Sequence, residues 1–561
     1  MFDIKKVPFS RNGSYMVISP LHGKDEQHLY LRNIRNGDND LGEVFRIEVL
    51  ADGQVVQYAP VLSPNFLRLE TDRGFADFVI SEAKVLQIRS VGVGVRLTGI
   101  TGAYDYAVPV NNDRFEVNYS KQEIRYMMTP IKGQLLMDAP FQEQRCLKIV
   151  ADFLPETQSS EMECAIEEFF TVWNEREYLQ FSNVLESVRN EFQTWLDHSL
   201  ECDVKLTNGR ELAAYITWSC IVQPEGKLTR PAMYMSKNWM TNIWSWDHCF
   251  NALALAKKQP ELAWDQFMIF FEHQDESGML PDFLNNRFAL WNFTKPPIHG
   301  WTLKQLMENR DIVTKGKLQE VYEPLCKWTE WWFKYRDDDH DGIPQYNHGN
   351  DSGWDNSTIF HQGTPIESPD LSSFLILQME TLSEIAEELG EKEEAREWAK
   401  KSNDLLDRMI RHFWINERFA AVKSGDHSII ESESLVLYIP IILGKRLPDS
   451  IRKKLVEGII SNDFLTPFGL ATEKPTSAYF REDGYWRGPI WAPTTLLVYK
   501  GLADSGETEL AQVVAHRFCN MANQSGMAEN FHALTGESLR DPAFTWTSSV
   551  FLILANTLNS Y

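Results

Sequence analysis

The 561 residues carry a formal charge of −24 spread along the chain, a field that repels a phosphate backbone or an anionic membrane and leaves a neutral partner as the default. With 43% hydrophobic residues, the chain buries large cores, is not disordered, and is long enough for two or more domains. Its eighteen tryptophans call for deep cores or aromatic pocket walls.

The start, "MFDIKKVPFSRNGSY", has no apolar signal-peptide core, and no stretch approaches ~18 uninterrupted apolar residues. Seven scattered cysteines show no zinc-like spacing, as expected of reduced thiols. A cytoplasmic address follows as the expectation, with no nucleic acid, no membrane and no cofactor as partner.

Residues 1–172 predict strands. "YMVIS", "HLYLRNI", "VFRIEVL", "VLQIRSVGVGVRLTGI", "DRFEVNY", "EIRYMM" and "CLKIVADFL" are short, β-branched or aromatic and often alternating, with turn clusters such as "RNGDND" between them. This spacing predicts an antiparallel β-sandwich, and no catalytic constellation falls within it. Residues 173–204 predict a linker, helical from about 176, because apolar positions recur every three or four residues.

Residues 205–561 predict twelve helices: 211–223, 244–258, 260–274, 296–310, 316–336, 370–390, 391–413, 431–445, 448–461, 488–505, 506–524 and 546–560. No parallel strands alternate with them and no repeated motif marks a solenoid. Six helical hairpins closed into a double ring, an (α/α)6 barrel, fit the number.

Four groups of loops stand out: "MSKNWMTNIWSWDHCFNALAL", "ESGMLPDFLNN" with "TKPPIHGW", "NDSGWDNS", and "GYWRGPIW" with "GMAENFHALTGESLRDPAFTW". Tryptophan, acid, asparagine and glycine recur in them. A sugar ring offers a C–H face for aromatic stacking and a rim of hydroxyls for Asp, Asn, Arg and Glu. Cutting a glycosidic bond then needs two carboxyl groups, one protonated and one ionised. Asp355 and Glu529 are candidates by their loops. Taken alone, Asp355 also reads as a turn or cap residue, Asp247 as a first-turn acid, Glu529 as a surface acid and Arg487 as a structural ion-pair partner.

"DDDHDG" resembles the opening of a calcium loop, with Asp337, Asp339, Asp341 and Gly342 in place. The twelfth position is His348 where a bidentate Glu is needed. No metal is therefore expected.

"WSWDHCFNALAL", "GMLPD", "KPPIHGW", "SGWDNS", "PDLSSFL", "YWRGPIW" and "ENFHALTGE…FTW" resemble, in order, motifs of glycoside hydrolase family 63, which includes processing α-glucosidase I, bacterial α-glucosidases and similar mannosylglycerate and glucosylglycerate hydrolases. The resemblance covers about residues 205–561. It implies an (α/α)6 barrel and an inverting mechanism, with Asp355 of "SGWDNS" as general acid and Glu529 of "ENF" as general base. It also implies that Asp247 binds sugar hydroxyls at the −1 subsite. Arg487, Trp491, Trp354 and Trp546 would complete the pocket, and Trp244, Trp246, Asp282, His299, Trp301, Tyr485 and Trp486 of the same motifs would bind substrate. Trp354 is expected to be exposed to the passing sugar. Glu367 of "PIESPDL" departs from the pattern as an acid without a role.

The implied activity is that of an inverting exo-acting α-glycosidase, in particular an α-glucosidase, on a small oligosaccharide or a glycosylated compatible solute. Two alternatives share the architecture: a glycoside phosphorylase and a trehalase- or glucoamylase-like hydrolase. A sugar-binding protein on an inactive scaffold is the non-enzymatic reading, opposed by the presence of both carboxylates.

Overall fold

Alternation builds the first half of the molecule. In the strand Glu43–Ala51, Phe45, Ile47 and Val49 are fully buried while Arg46 and Glu48 stay partly exposed. The computed structural model describes every residue except 112, 157, 310, 311, 462, 560 and 561. One antiparallel sheet has seven strands, ordered Met16–Leu21, Asp25–Asn33, Glu43–Ala51, Gly94–Gly99, Val150–Leu154 and Gln134–Asp138, with Gln54–Val56 beside the third. The other has eight, ordered Tyr106–Val110, Arg114–Tyr119, Ile124–Lys132, Glu161–Phe169, Val85–Val91, Phe75–Glu82, Phe66–Glu70 and Ala59–Ser63. Cross-strand pairs such as Phe78 with Ile88 and Ile80 with Leu86 fill the space between the layers.

The edge strand Met16–Leu21 is buried along its whole length, because the helical half covers it. Gly13 N–H donates to the Ile221 carbonyl (2.9 Å), and Gln223 N–H to the Gly13 carbonyl (3.2 Å). Arg35, 2% exposed, pairs with Glu168 of the sandwich (2.7 Å) and Glu225 of the helical half (2.6 Å). A buried charge is tolerated only with such partners. Lys237 enters from the other side and donates to the carbonyl of Ser14 (2.5 Å).

The expected linker helix starts later than periodicity suggests. Helix α1 spans Phe181–Asp197 and buries Phe181, Val184, Val188, Phe192 and Trp195. Residues 172–180 are irregular, tied to the sandwich by side chains: Trp173 Nε1 and the Tyr178 hydroxyl both donate to Glu167 (2.8 Å each).

Among the described residues, eleven α-helices and one long 3-10 segment follow, besides 3-10 turns of three or four residues. They are α2 (Thr207–Ser219), α3 (Asp247–Leu255), α4 (Pro260–Met268), α5 (His299–Met307), α6 (Lys315–Tyr335), α7 (Pro369–Leu389), α8 (Lys392–Phe413), the 3-10 segment Leu435–Arg446, α9 (Asp449–Ser461), α10 (Ala492–Asp504), α11 (Thr508–Ser525) and α12 (Thr545–Leu558). The last residues of the expected helices 296–310 and 546–560 lie outside the described residues. At 431–445 the structure corrects the expected α-helix, because Pro440 removes an N–H donor and Gly444 breaks the helix at φ 52°, ψ −128°.

Burial separates the two rings. Helix α7 is buried over most of its circumference, whereas α8 buries only a stripe of Ala395, Trp398, Ser402, Leu405, Met409 and Phe413. Gly390, at φ 95°, turns the chain from inner to outer helix. The chain is an antiparallel β-sandwich followed by an (α/α)6 barrel. Among the described residues no helix is long and apolar enough to cross a membrane.

Candidate active site

At one end of the barrel the loops enclose a cavity of about 430 Å³. Of the residues expected there, Asp355, Glu529, Trp244, Trp246, Asp247, Asp282, Tyr485, Trp486 and Trp546 line it. His299, Trp301, Trp354, Arg487 and Trp491 do not.

"DSGWDNS" folds as a 3-10 turn, Gly349–Ser352, closed by Gly353 at φ 72°. Asp351 accepts the Thr294 and Asn347 N–H groups (3.2 Å each) and so is the turn-building acid. Asp355 is left to face the cavity. A Cβ on Gly353 would lie 2.5 Å from the Trp246 ring, which is why glycine stands there.

Trp354 is not exposed, contrary to expectation: at 1% exposure it packs behind Trp486 (ring centroids 4.9 Å). Trp491 stacks on the same ring (4.0 Å, 6°) and donates its Nε1–H to the Tyr485 carbonyl (2.9 Å). The tryptophans therefore form two ranks, with Trp246, Trp486 and Trp546 at the cavity and Trp354 and Trp491 bracing them from behind. His299 is wholly buried and accepts the Trp328 Nε1–H (3.2 Å); burial, reinforced by His248, keeps it neutral. Trp301 lines a different cavity with Lys304 and Arg446. Half-buried Arg487 contributes no lining atom to the sugar cavity.

One cation escapes sequence reasoning. Lys295 Nζ donates to the Asn350 carbonyl (2.9 Å) and side-chain Oδ1 (2.6 Å), and stands 3.3 Å from Asp282 and 4.0 Å from Asp355. It lies in the "TKPPIHGW" loop, where a lysine fixed ahead of two prolines is the available signal. Asn350 also donates to Asp282 (3.0 Å), linking two loops. Phe283, Leu290, Phe293 and Phe544 add apolar wall, and Asp38 enters from the sandwich.

Burial pushes the Asp355 carboxyl up, opposed by Lys295 and reinforced by Asp282. Glu529, 5% exposed, is pushed up to about 8 by burial and then by the neighbouring Asp541 carboxylate. In the sequence, Asn530 and His532 suggest a polar setting that keeps Glu529 ionised at ordinary carboxylate pH; enclosure overrides it. Burial also raises Asp247 well above its usual range. Tyr485 rises too, through burial and the charges of Asp355 and Glu529, so its hydroxyl keeps its proton.

Glu367 is not in the cavity. It is wholly buried, its Oε2 accepts from His412 (2.7 Å), and its Oε1 meets no hydrogen-bond partner among the described residues. Asp341, Glu367, His412 and His427 bring ligand-type atoms within 4.8 Å of one another, as do Asp337, Asp339 and Asp341. These groups could hold a cation, with Glu367 supplying a carboxylate that His348 does not. None lines the sugar cavity, so turnover is expected to persist after chelator treatment. A loss restored by calcium would tie the cluster to the catalytic loops.

The family model of the mannosylglycerate hydrolase MGH1-like glycoside hydrolase domain matches residues 240–547, more than half of the chain. The chain belongs to this glycoside hydrolase family. The match places it in glycoside hydrolase family 63 and identifies the chain as a glycoside hydrolase. A mannosylglycerate hydrolase of Thermus thermophilus is 21% identical over 388 residues, 55% of this chain and 93% of that protein. A solved family 63 mannosylglycerate hydrolase from Thermus thermophilus, in complex with Tris, aligns at TM-score 0.53 and 18% identity, over 62% of this chain and 98% of that one. A bacterial glucoamylase complexed with acarbose aligns at TM-score 0.63 and 12% identity over 99% of this chain and 94% of that one. That likeness extends through the sandwich and is one of fold.

Proposed function

We propose that this family 63 hydrolase is an inverting, exo-acting α-glycosidase, in particular an α-glucosidase, whose catalytic unit is residues 205–561. The observation that carries the reading is that Asp355 and Glu529, from loops far apart in sequence, line one cavity walled by tryptophan. Its volume of about 430 Å³ suits a small glycoside. In this reading Trp246, Trp486 and Trp546 meet the C–H faces of the −1 sugar, and Asp247 and Tyr485 meet its hydroxyls. Asp355 protonates the departing oxygen, favoured by burial that holds its proton. Glu529 removes a proton from the attacking water on the opposite face.

An α-linked oligosaccharide tagged at its reducing end tests the exo action. The tagged chain is expected to shorten by one sugar per event, and internal cleavage would overturn this part of the reading.

The pH profile tests the base. Its raised pKa should set the acidic limb of kcat/KM far above the usual carboxylate range. Asp541→Asn removes the adjacent negative charge while retaining the Oδ1 that accepts from Asn238 (2.9 Å) and Ala543 (3.1 Å). Ionised Glu529 is thereby favoured, and the limb should move to lower pH. A limb that stays in place would take Glu529 out of the base role.

A further inference from the structure

The turn "NGDND" joins two strands of the sandwich, yet Asp38 at its tip lines the sugar cavity. Docking holds it there. A Cβ on Gly37 would lie 2.2 Å from Asn285 Nδ2 and 2.4 Å from Asn242 Oδ1, so the tip presses directly against two wholly buried side chains of the barrel. Behind it, Asp40 accepts from Asn36 (3.0 Å) and from the Gly42 N–H (2.7 Å). The carboxylate of Asp38 itself remains exposed, which puts it at the mouth, where the leaving part of a substrate lies.

Five carboxyl groups line the cavity: Asp38, Asp247, Asp282, Asp355 and Glu529. The one Lys or Arg among the lining residues is Lys295, whose ammonium is already engaged by both oxygens of Asn350 and by Asp282. His348 uses Nδ1 to accept the Asn350 N–H (3.0 Å). Among the described lining residues, then, no cation is free to receive an anionic leaving group, and Asp38 repels one at the entrance. Phe283, Leu290 and Phe293 give the same cavity an apolar wall, which suits the C–H face of a second sugar.

Resting on the glycosidase reading above, we infer that the sandwich loop sets the leaving-group specificity of this enzyme. Asp38 selects a neutral, hydroxyl-bearing leaving group (a second sugar) and discriminates against glycerate. The substrate class is thus a neutral α-linked di- or oligosaccharide, unlike the anionic glycoside named for the Thermus thermophilus relative.

The test compares kcat/KM on a panel of neutral α-linked disaccharides with that on α-glucosylglycerate and α-mannosylglycerate, for the wild-type enzyme, Asp38→Asn and Asp38→Lys. The wild-type enzyme should favour the best neutral substrate by at least ~10-fold, the scale of one partly screened charge contact. Asp38→Asn should narrow the ratio, and Asp38→Lys should shift it by roughly 10-fold or more toward the glycerates. Unchanged melting temperatures would show that the exposed substitution leaves the fold intact. A wild-type preference for a glycosylglycerate, or a ratio that Asp38→Lys leaves unmoved, would overturn the inference while leaving the glycosidase reading in place. No turnover on either panel would remove both.

Discussion

Glu529→Gln and Asp355→Asn are each expected to lower kcat by roughly 10²–10⁴-fold, the usual contribution of one positioned proton transfer, with little change in melting temperature. In Glu529→Gln the amide would keep the shape of the side chain but could not take a proton from water. In Asp355→Asn the amide could not give one to the leaving oxygen. Among the described residues neither carboxyl group has a close side-chain partner: the Glu529 loop is held by its backbone N–H to the Asp541 carbonyl (2.7 Å), and Asp355 stands 4.0 Å from Lys295. The two losses should also differ by substrate. A glycoside with an activated phenol leaving group needs little help from an acid, so it should restore much of the rate in Asp355→Asn and none in Glu529→Gln. Rescue of the Glu529 variant instead would exchange the two roles. Near-wild-type rates in either variant would mean that another carboxyl group does that work, Asp247 and Asp282 being the remaining acids of the inner cavity.

Lys295→Met should lower stability and move the pH profile. The lysine side chain is 5% exposed and its principal partner Asp282 4%, so the substitution leaves a buried carboxylate without its counter-charge. Removing one member of such a pair costs about 3–5 kcal/mol, which denaturant unfolding would report as a lower midpoint at unchanged slope. The pH profile should change separately, because Lys295 opposes the burial that raises Asp355 and Asp247. Without it both carboxyl groups hold their protons to higher pH, and the alkaline limb assigned to the acid should move upward. A variant as stable as the parent would show that solvent reaches this corner of the cavity.

Much of the architecture is legible in the sequence because burial imposes period. Outer helices such as α8 show a clear apolar stripe, and strands such as Glu43–Ala51 alternate. Where burial is complete the period vanishes: "LVLYIPIILGKR" reads as helix from its apolar content, yet Pro440 and Gly444 make it a 3-10 segment. The site is legible by composition more than by position. Tryptophan-rich loops point to the right end of the barrel, but nothing local distinguishes Trp486, which meets the cavity, from Trp354 and Trp491, which support it. Lys295 escapes notice because a lone lysine in a proline loop looks like a solvated side chain until Asp282 and Asn350 are brought to it. Asp38 cannot be found locally at all. Its turn has ordinary turn composition, and only the docking of sandwich on barrel carries it to the cavity.

The central claim is that Asp355 and Glu529 act from opposite faces of the sugar with a water between base and substrate. That arrangement requires the two carboxyl groups to stand ~6.5–9.5 Å apart in the complex and the attacked carbon to invert. Proton NMR of a turned-over α-glycoside, recorded within the first minutes, reads this directly. The account predicts that the β-anomer of the released sugar appears first and the α-anomer only later, by mutarotation. An α-anomer formed first would mean retention, a carboxyl spacing nearer ~5–5.5 Å and a covalent intermediate, and the pairing of these two residues would be wrong.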